Sequence, residues 1–438
     1  MIVMKFGGTS VGGADEIRNV AEIVKSHLAR KPVVVVSAVK GITDRLIELA
    51  NHAKEGNGDV VFSTIKNVHH GILEKLSLEK SLLDKDFNEL QKAVKSVNGK
   101  MPDAKTLDLF QSFGERISSK IVAAQLSKNN MEAQAFNTFD LGLITNSDFG
   151  NAEPLEEAFT NLANNIKKMS FIPVITGFIG KTREGEITTL GRGGSDYTAG
   201  IVGAAINAGE IQIWTDVDGI MSADPKIVGD ARTLEQVSFA EASELAYFGA
   251  KVLHPKTIIP AMEKNIPVRV LNTFNPKGNG TLILNEVEKS KQTVKAITSK
   301  RNITLIHVNS KRMLGAYGFL ARLFEVFYEY KQSVDVIATS EVSVSMTVDN
   351  GKNIEDIASD LEGIADVKIL KNKAVICVVG EGMRNTPGVA GRTFLVLGKN
   401  NINIEMISQG ASEINITFVV DGKDCDKAVK CLHEEYFG

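Results

Sequence analysis

The chain has 438 residues, 43% of them hydrophobic and 24% charged, with a formal net charge of -3 at pH 7. That length exceeds one ordinary core and gives an expectation of about three domains, while the near balance of charge argues against a nucleic-acid or membrane surface as the main partner. The longest apolar stretch, PVVVVSAV at 32–39, falls far short of the roughly 18 residues that span a bilayer, and the N-terminus opens on a strand pattern rather than a signal peptide, so the expected location is the cytoplasm.

IVMKF (2–6) reads as a strand. The turn that follows, within KFGGTSVGG (5–13), joins it to a helix, so backbone N–H groups and the helix N-terminus make an anion site suited to phosphate. Gly7 and Gly12 have P-loop separation, but Gly13-Ala14 stands where Lys-Ser/Thr belongs, and Lys5 on the strand would reach the phosphates from below; a plain glycine turn with a surface lysine is the alternative. In ADEIRNVAEIVKSHLAR, Ile17, Val20, Ile23, Val24 and Leu28 share one helical face, and PVVVVSA is the next strand. Continuous hydrophobicity there and in FIPVITGF (171–178) implies strands covered on both faces, hence a largely parallel sheet sandwiched by helices. Residues from about 54 to 130 are charged and helical in pattern, an expected insertion on this α/β core.

TTLGRGGSDYTAG (188–200) surrounds Arg192 with glycines, so a small ligand can approach its guanidinium, which binds a carboxylate through two parallel hydrogen bonds. Ser195 and Asp196 begin the next helix, where a cap and a favourable first-turn charge are the plainer reading. IQIWTDV (211–217) is a strand, and WTDVDGIMSADPK (214–226) continues from its C-terminal end into a loop with aspartates, where open α/β sheets bind ligands such as a nucleotide; Asp-Gly and Asp-Pro are also ordinary turn formers. FGAKVLHPKT (248–257) places Lys251 near a helix start, where a surface lysine is the usual occupant. NPKGNGT (275–281) is loop-like, and NEVEKSKQT (285–293) reads as the linker that ends the first domain.

After residue 300 the chain repeats at a spacing of about 70: GFLARLFEVFYEYKQSVDVI (318–337) aligns with GVAGRTFLVLGKNNINIEMI (388–407), and SEVSVSMTVD (340–349) with SEINITFVVD (412–421). Each copy reads as β-α-β-β-α-β, a ferredoxin-like unit. Cys377, Cys425 and Cys431 form no C-x-x-C pair and have no His at metal spacing, so buried thiols are expected rather than a disulfide or zinc site.

KFGGTSV, VVVSA, FGERIS, TTLGRGGSDYTA, TDVDGIMSADP and AKVLHP, in this order and followed by SVDVIATSEVSVS, resemble the aspartate kinases of the amino-acid kinase family, with paired C-terminal ACT domains; the resemblance spans essentially the whole chain. It implies a catalytic domain at 1–290, a linker and first ACT domain at 291–372, and a second ACT domain at 373–438. The implied reaction is ATP-dependent, Mg²⁺-assisted phosphorylation of the β-carboxylate of L-aspartate, the entry step to lysine, threonine, methionine and diaminopimelate synthesis. By the resemblance Arg192 would hold the substrate α-carboxylate and Glu115 its amino group, with Ser37, Thr43, Phe178, Ser195 and Asp196 completing the pocket. Lys5 and Lys251 would neutralise the transferring phosphoryl group. Gly7, Gly8, Thr9, Ser10, Thr215, Asp216, Met221 and Lys226 would serve the nucleotide, although Met221 stands where some relatives have an aromatic residue and Lys226 where an arginine is found.

The first repeat carries Met313, Gly318, Phe319, Leu320, Ser333, Val334, Asp335, Ser340 and Glu341 at the positions that bind an effector in lysine-sensitive enzymes of this type. Asp335 and Glu341 suit an effector with ammonium groups, and lysine is the expected one; ordinary strand and turn chemistry is the alternative. The resemblance further implies a dimer or tetramer formed through the ACT domains, and a kinase without a homoserine dehydrogenase module is expected. The competing readings are another amino-acid kinase, such as one for glutamate, and a catalytically silent amino-acid or nucleotide sensor.

Overall fold

Strand β1, Ile2–Phe6, is buried throughout, and its alternation sorts two faces. Ile2, Met4 and Phe6 enter one core with helix α1, Ala14–Ser26, leaving Val3 and Lys5 to the opposite face. Ile17, Val20, Ile23 and Val24 are buried as the helical period requires. Leu28 is not: α1 ends at Ser26, Leu28 begins a 3-10 turn that closes at a left-handed Lys31, and its side chain is 42% exposed.

The computed structural model describes all residues except 98, 250–254, 288–291, 316 and 350–352. After β2, Pro32–Val36, the described residues form four helices with no strand between them: α2 Ile42–Ala53, α3 Asp59–Leu76, α4 Asp84–Val97 and α5 Ala104–Lys128. Then follow β3 Ala133–Phe136, α6 Glu156–Ile166, β4 Ile172–Thr176, the hairpin β5 Ile179–Lys181 and β6 Ile187–Thr189, α7 Gly194–Ile206, and β7 Ile211–Thr215. Strand β8 Gln236–Ser238, helices α8 Phe239–Tyr247 and α9 Pro255–Glu263, and strands β9 Val268–Asn272 and β10 Thr281–Leu284 complete this part of the chain.

The chain forms two units, one of Met1–Ile220, Glu235–Phe239 and Val252–Glu286, the other of Met221–Leu234, Ala240–Lys251 and Val287–Gly438. In the first, eight strands form one sheet in the order β3-β4-β2-β1-β7-β9-β10-β8, parallel except between β9 and β10. Helix α7 packs on β1, β2 and β7 and against α6 and α9, so the central strands are covered on both faces.

The second unit contains β11 Ala296–Asn309, α10 Phe319–Glu329, β12 Val336–Thr339, β13 Ser343–Asp349, α11 Ile354–Glu362, β14 Asp366–Val379, α12 Val389–Lys399, β15 Met406–Ser408, β16 Asn415–Asp421 and α13 Cys425–Phe437. Its strands make one sheet in the order β12-β13-β11-β14-β16-β15. Both repeats are ferredoxin-like, but β11 and β14 are long enough to serve both. Residues 303–309 of β11 pair with β13, whereas 296–301 pair with 374–379 of β14 and supply the fourth strand of the second repeat. The register shifts around Asn302, which is left-handed like its repeat equivalent Asn372. Gly318 and Gly388, also equivalent, are the left-handed residues before α10 and α12.

Candidate active site

The C-terminal ends of β4, β2, β1 and β7 lie side by side, and the sequence motifs sit on the turns leaving them. At the end of β1, Gly7 N–H donates to the Trp214 carbonyl (3.2 Å), and Gly8 approaches β2's loop so closely that a Cβ would stand 3.0 Å from the Ala38 carbonyl oxygen. Ser37 N–H donates to Phe6 O, and Lys40 N–H to Gly8 O. Thr43 is half-buried in the first turn of α2, next to this loop in the chain.

Lys5, on the face of β1 turned toward α7, is 8% exposed, and its Nζ lies 2.6 Å from Asp196 Oδ1 in the first turn of that helix. At that distance the two form a close, largely buried ion pair. On the other face, Gly114 of α5 lets that helix pack on Ala38, where a Cβ would come within 2.7 Å of the Ala38 Cβ. This puts Glu115 beneath the loop, and its Oε1 accepts the Ala38 N–H at 3.1 Å. Glu115 Oε2 is buried with no hydrogen-bond partner. Burial pushes the Glu115 carboxyl up to about 8, against the downward pull of the Ala38 N–H, of its own backbone N–H and of Lys5.

The glycine-rich turn has a steric explanation. Gly191 and Gly193 are left-handed (φ 74 and 72), and Gly194 faces Phe178 so closely that a Cβ would stand 2.6 Å from its ring. Phe178 is itself left-handed (φ 68), held by a hydrogen bond from its N–H to Thr198 Oγ1 and one from Leu190 N–H to its carbonyl. Gly177 leaves room for Ser195, whose Oγ would be 2.7 Å from an added Cβ. Arg192, between two left-handed glycines, extends an exposed side chain.

Lys5, Gly7, Gly8, Ser37, Glu115, Phe178, Ser195 and Asp196 are thus brought to one sheet edge, with Thr215 and Asp216 at the end of β7. Ser10 differs from its expected role. Its fully buried hydroxyl bonds to Thr273 Oγ1 (2.7 Å) and the Trp214 carbonyl, so its side chain anchors the loop rather than facing a ligand. Thr9 lies in the same turn. Met221 and Lys226 belong to the second unit, where Thr233 Oγ1 donates to Met221 Sδ and Asp224 Oδ1 accepts the Lys226 N–H in an ordinary Asp-Pro turn. Lys251 lies outside the described residues.

Asp108 is a positioning residue that sequence reading missed. Its Oδ2 accepts N–H bonds from Gly150 (2.9 Å) and Thr189 (2.8 Å), and its Oδ1 the Thr189 hydroxyl (2.7 Å), tying the 148–151 loop to the strand that leads into the glycine turn. The available signal was a second carboxylate two helical turns before Glu115, on the same face of α5.

In the first repeat a pocket of about 460 Å³ is lined by Met313, Gly318, Phe319, Leu320 and Glu341, among others. Ser333, Val334, Asp335 and Ser340 do not line it. Asp335 is bound to Tyr247 and Lys300, and Ser340 closes its own turn through Ser343 Oγ (2.6 Å). Cys377 and Cys425 are buried and Cys431 partly so, all as free thiols.

The mostly parallel sheet with its glycine turns and the buried Lys5 falls within residues 1–272, which match the model of the amino acid kinase family, and the second ferredoxin-like repeat falls within residues 376–436, which match an ACT domain. Aspartokinase 3, chloroplastic, of Arabidopsis thaliana is 40% identical across 99% of this chain and 81% of its own length. Lysine-sensitive aspartokinase 3 of Escherichia coli (strain K12) is 36% identical across 100% of this chain and 99% of its own. The crystal structure of E. coli aspartokinase III in complex with aspartate and ADP (R-state) covers both chains fully, with a TM-score of 0.87 at 34% identity; the complex with lysine and aspartate (T-state) gives 0.85. The chain belongs to the aspartokinases of the amino acid kinase family.

Proposed function

We propose that the chain transfers the γ-phosphoryl group of ATP to the β-carboxylate of L-aspartate. One carboxylate oxygen attacks the γ-phosphorus, the bond to the β,γ-bridging oxygen breaks, and ADP leaves. A carboxylate with a free pKa near 4 is ionised at neutral pH, so no general base is required. The difficulty is repulsion between two anions, and the observation that carries the reading is the buried Lys5 beside Asp196 at the sheet edge, with Glu115 Oε2 left for an ammonium.

In this reading Arg192 takes the α-carboxylate and Glu115 the α-amino group, with Ser37, Thr43, Phe178, Ser195 and Asp196 around them. Lys5 and Lys251 offset the phosphoryl charge, while Gly7, Gly8, the backbone of Thr9 and Ser10, Thr215, Asp216, Met221 and Lys226 serve the nucleotide. Mg²⁺ would supply further charge neutralisation on the phosphate oxygens. Among the described residues no group of three or more His, Cys, Asp or Glu side chains is arranged for an ion, so the residues suit one that arrives chelated by the triphosphate.

The reading extends to a catalytic domain at 1–290 and ACT domains at 291–372 and 373–438, with lysine as the feedback effector at the first and homo-oligomers formed through them. No helix among the described residues is long and apolar enough to cross a membrane, which is compatible with a cytoplasmic place at the head of lysine, threonine and methionine synthesis. ADP release measured with and without aspartate, glutamate and N-acetylglutamate tests it. Aspartate-dependent release supports the assignment; equal rates with every acceptor, or none, defeat it.

A further inference from the structure

The loop at 146–153 runs alongside the strand and turn that carry Arg192. Ala152 N–H donates to the Thr189 carbonyl (2.8 Å), and Asn151 Oδ1 lies so near Gly191 that a Cβ there would stand 2.8 Å from it. Asp108 holds this loop through Gly150, and Tyr197 holds it at a second point. Tyr197 stands one helical turn after Gly193, to whose carbonyl its N–H donates (3.0 Å). Helical side chains lean toward the N-terminus of their helix, and the Tyr197 hydroxyl reaches Glu153 Oε2 at 2.9 Å, with the residue only 8% exposed.

Glu153 is fastened from a third element as well. Lys256, in the first turn of α9, places its Nζ 2.5 Å from Glu153 Oε1, 5.2 Å from the centre of the Tyr197 ring and 3.5 Å from Asn151 Oδ1. Helix α9 can lie close to α7 because Gly200 has no side chain: a Cβ there would stand 2.7 Å from the Thr257 carbonyl oxygen. One carboxylate thus gathers the first turns of α7 and α9 on the loop that backs Gly191. Arg192 is exposed between the left-handed Gly191 and Gly193, so the direction in which its side chain leaves is set by the backbone of this turn.

We propose that Tyr197, through Glu153, is a positioning residue for substrate recognition: its bond holds the 146–153 loop against the glycine turn and so aims Arg192 at the substrate carboxylate. This rests on the reading that Arg192 takes the α-carboxylate of aspartate. A guanidinium grips a carboxylate through two parallel bonds only when its plane is correctly presented, so a small shift of the turn weakens that grip without touching the phosphate loop at the end of β1. A hydrogen bond to a charged group is strong enough for its loss to permit such a shift, and Phe in place of Tyr removes the bond while keeping the ring under the Lys256 ammonium.

Steady-state kinetics of the full-length protein test this with Tyr197→Phe, Arg192→Lys, the double variant, and Tyr330→Phe as the control, which removes an equivalent tyrosine bond to Asp360 (2.8 Å) in the second unit. Tyr197→Phe raises KM for aspartate about ten-fold, with kcat and KM for ATP within about two-fold of wild type. Arg192→Lys raises KM for aspartate as well, and adding Tyr197→Phe to it changes that KM by less than about two-fold, because the tyrosine acts through the arginine. Tyr330→Phe leaves every constant within about two-fold. An unchanged KM for aspartate in Tyr197→Phe, a KM for ATP that rises in step with it, or effects that multiply in the double variant overturn the positioning role while the kinase reading stands. An Arg192→Lys variant with the wild-type KM defeats the reading of Arg192 and this inference with it, and a wild type without aspartate-dependent ADP release defeats the kinase reading and the inference together.

Discussion

Lys5 and Glu115 make opposite demands on their surroundings. Lys5 has a carboxylate at 2.6 Å and keeps its charge partner, whereas Glu115 is buried with one backbone hydrogen bond and holds a proton up to about pH 8. Lys5→Ala is expected to lower kcat by about two to four orders of magnitude with KM for aspartate changed little, since its charge acts on the developing phosphoryl transfer; steady-state kinetics check this. Glu115 must ionise to receive an ammonium. KM for aspartate therefore falls as pH rises toward 8, and Glu115→Gln raises KM and flattens that dependence. The same group leaves a mark on stability. Its folded-state pKa lies above the ordinary 4.5, so its contribution is fully present below pH 4.5 and is lost as pH rises through 8; ligand-free melting temperatures of wild type and Glu115→Gln agree most closely at acid pH, and the wild type falls below the variant as pH rises toward 8.

At the scale of elements, the turn from β6 into α7 depends on backbone conformations and close approaches that side chains would obstruct. Gly194→Ala drives a methyl group into the Phe178 ring, and Phe178 is already held left-handed by Thr198 and Leu190. The variant is expected to lose about 1–3 kcal/mol of stability by denaturant melting and to raise KM for aspartate, because Arg192 and Ser195 flank the displaced residue. The glycines were legible as a site because so polar a turn lacks side-chain bulk around one arginine. Asp108 was harder to read: its three bonds reach Gly150 and Thr189, which are 42 and 81 residues away, and no local pattern encodes such partners. Leu28 shows the reverse limit. It fits the helical period of α1, yet the helix ends first.

Across the molecule, the loop at 221–234 belongs with the ACT repeats. Ser222 Oγ bonds to His433 Nε2 (2.9 Å), Arg232 donates to the Phe437 carbonyl (3.0 Å), and Ala223 and Val228 share a core with Leu432 and Phe437. If Met221 and Lys226 on this loop serve the nucleotide as proposed, removal of residues 431–438 raises KM for ATP about five-fold or more while KM for aspartate changes less. His433→Ala gives a smaller effect in the same direction. Unchanged ATP kinetics in both variants would separate the loop's anchoring from nucleotide use.

Hydrophobic period and turn chemistry, both local, determined from sequence alone that β1, β2, β4 and β7 are buried strands, that the region from about 54 to 130 is helical, and that the C-terminal third is a repeat. Motif order supplied the family. Tertiary structure alone decided that residues 296–301 complete the second repeat rather than the first, that Ser10 anchors its loop, and that Asp335 faces Tyr247 and Lys300 instead of the open pocket. The reason is common to all three: a strand or a polar side chain takes whichever distant partner the packed chain presents, and the information that chooses the partner resides in the packing of both segments, not in either one.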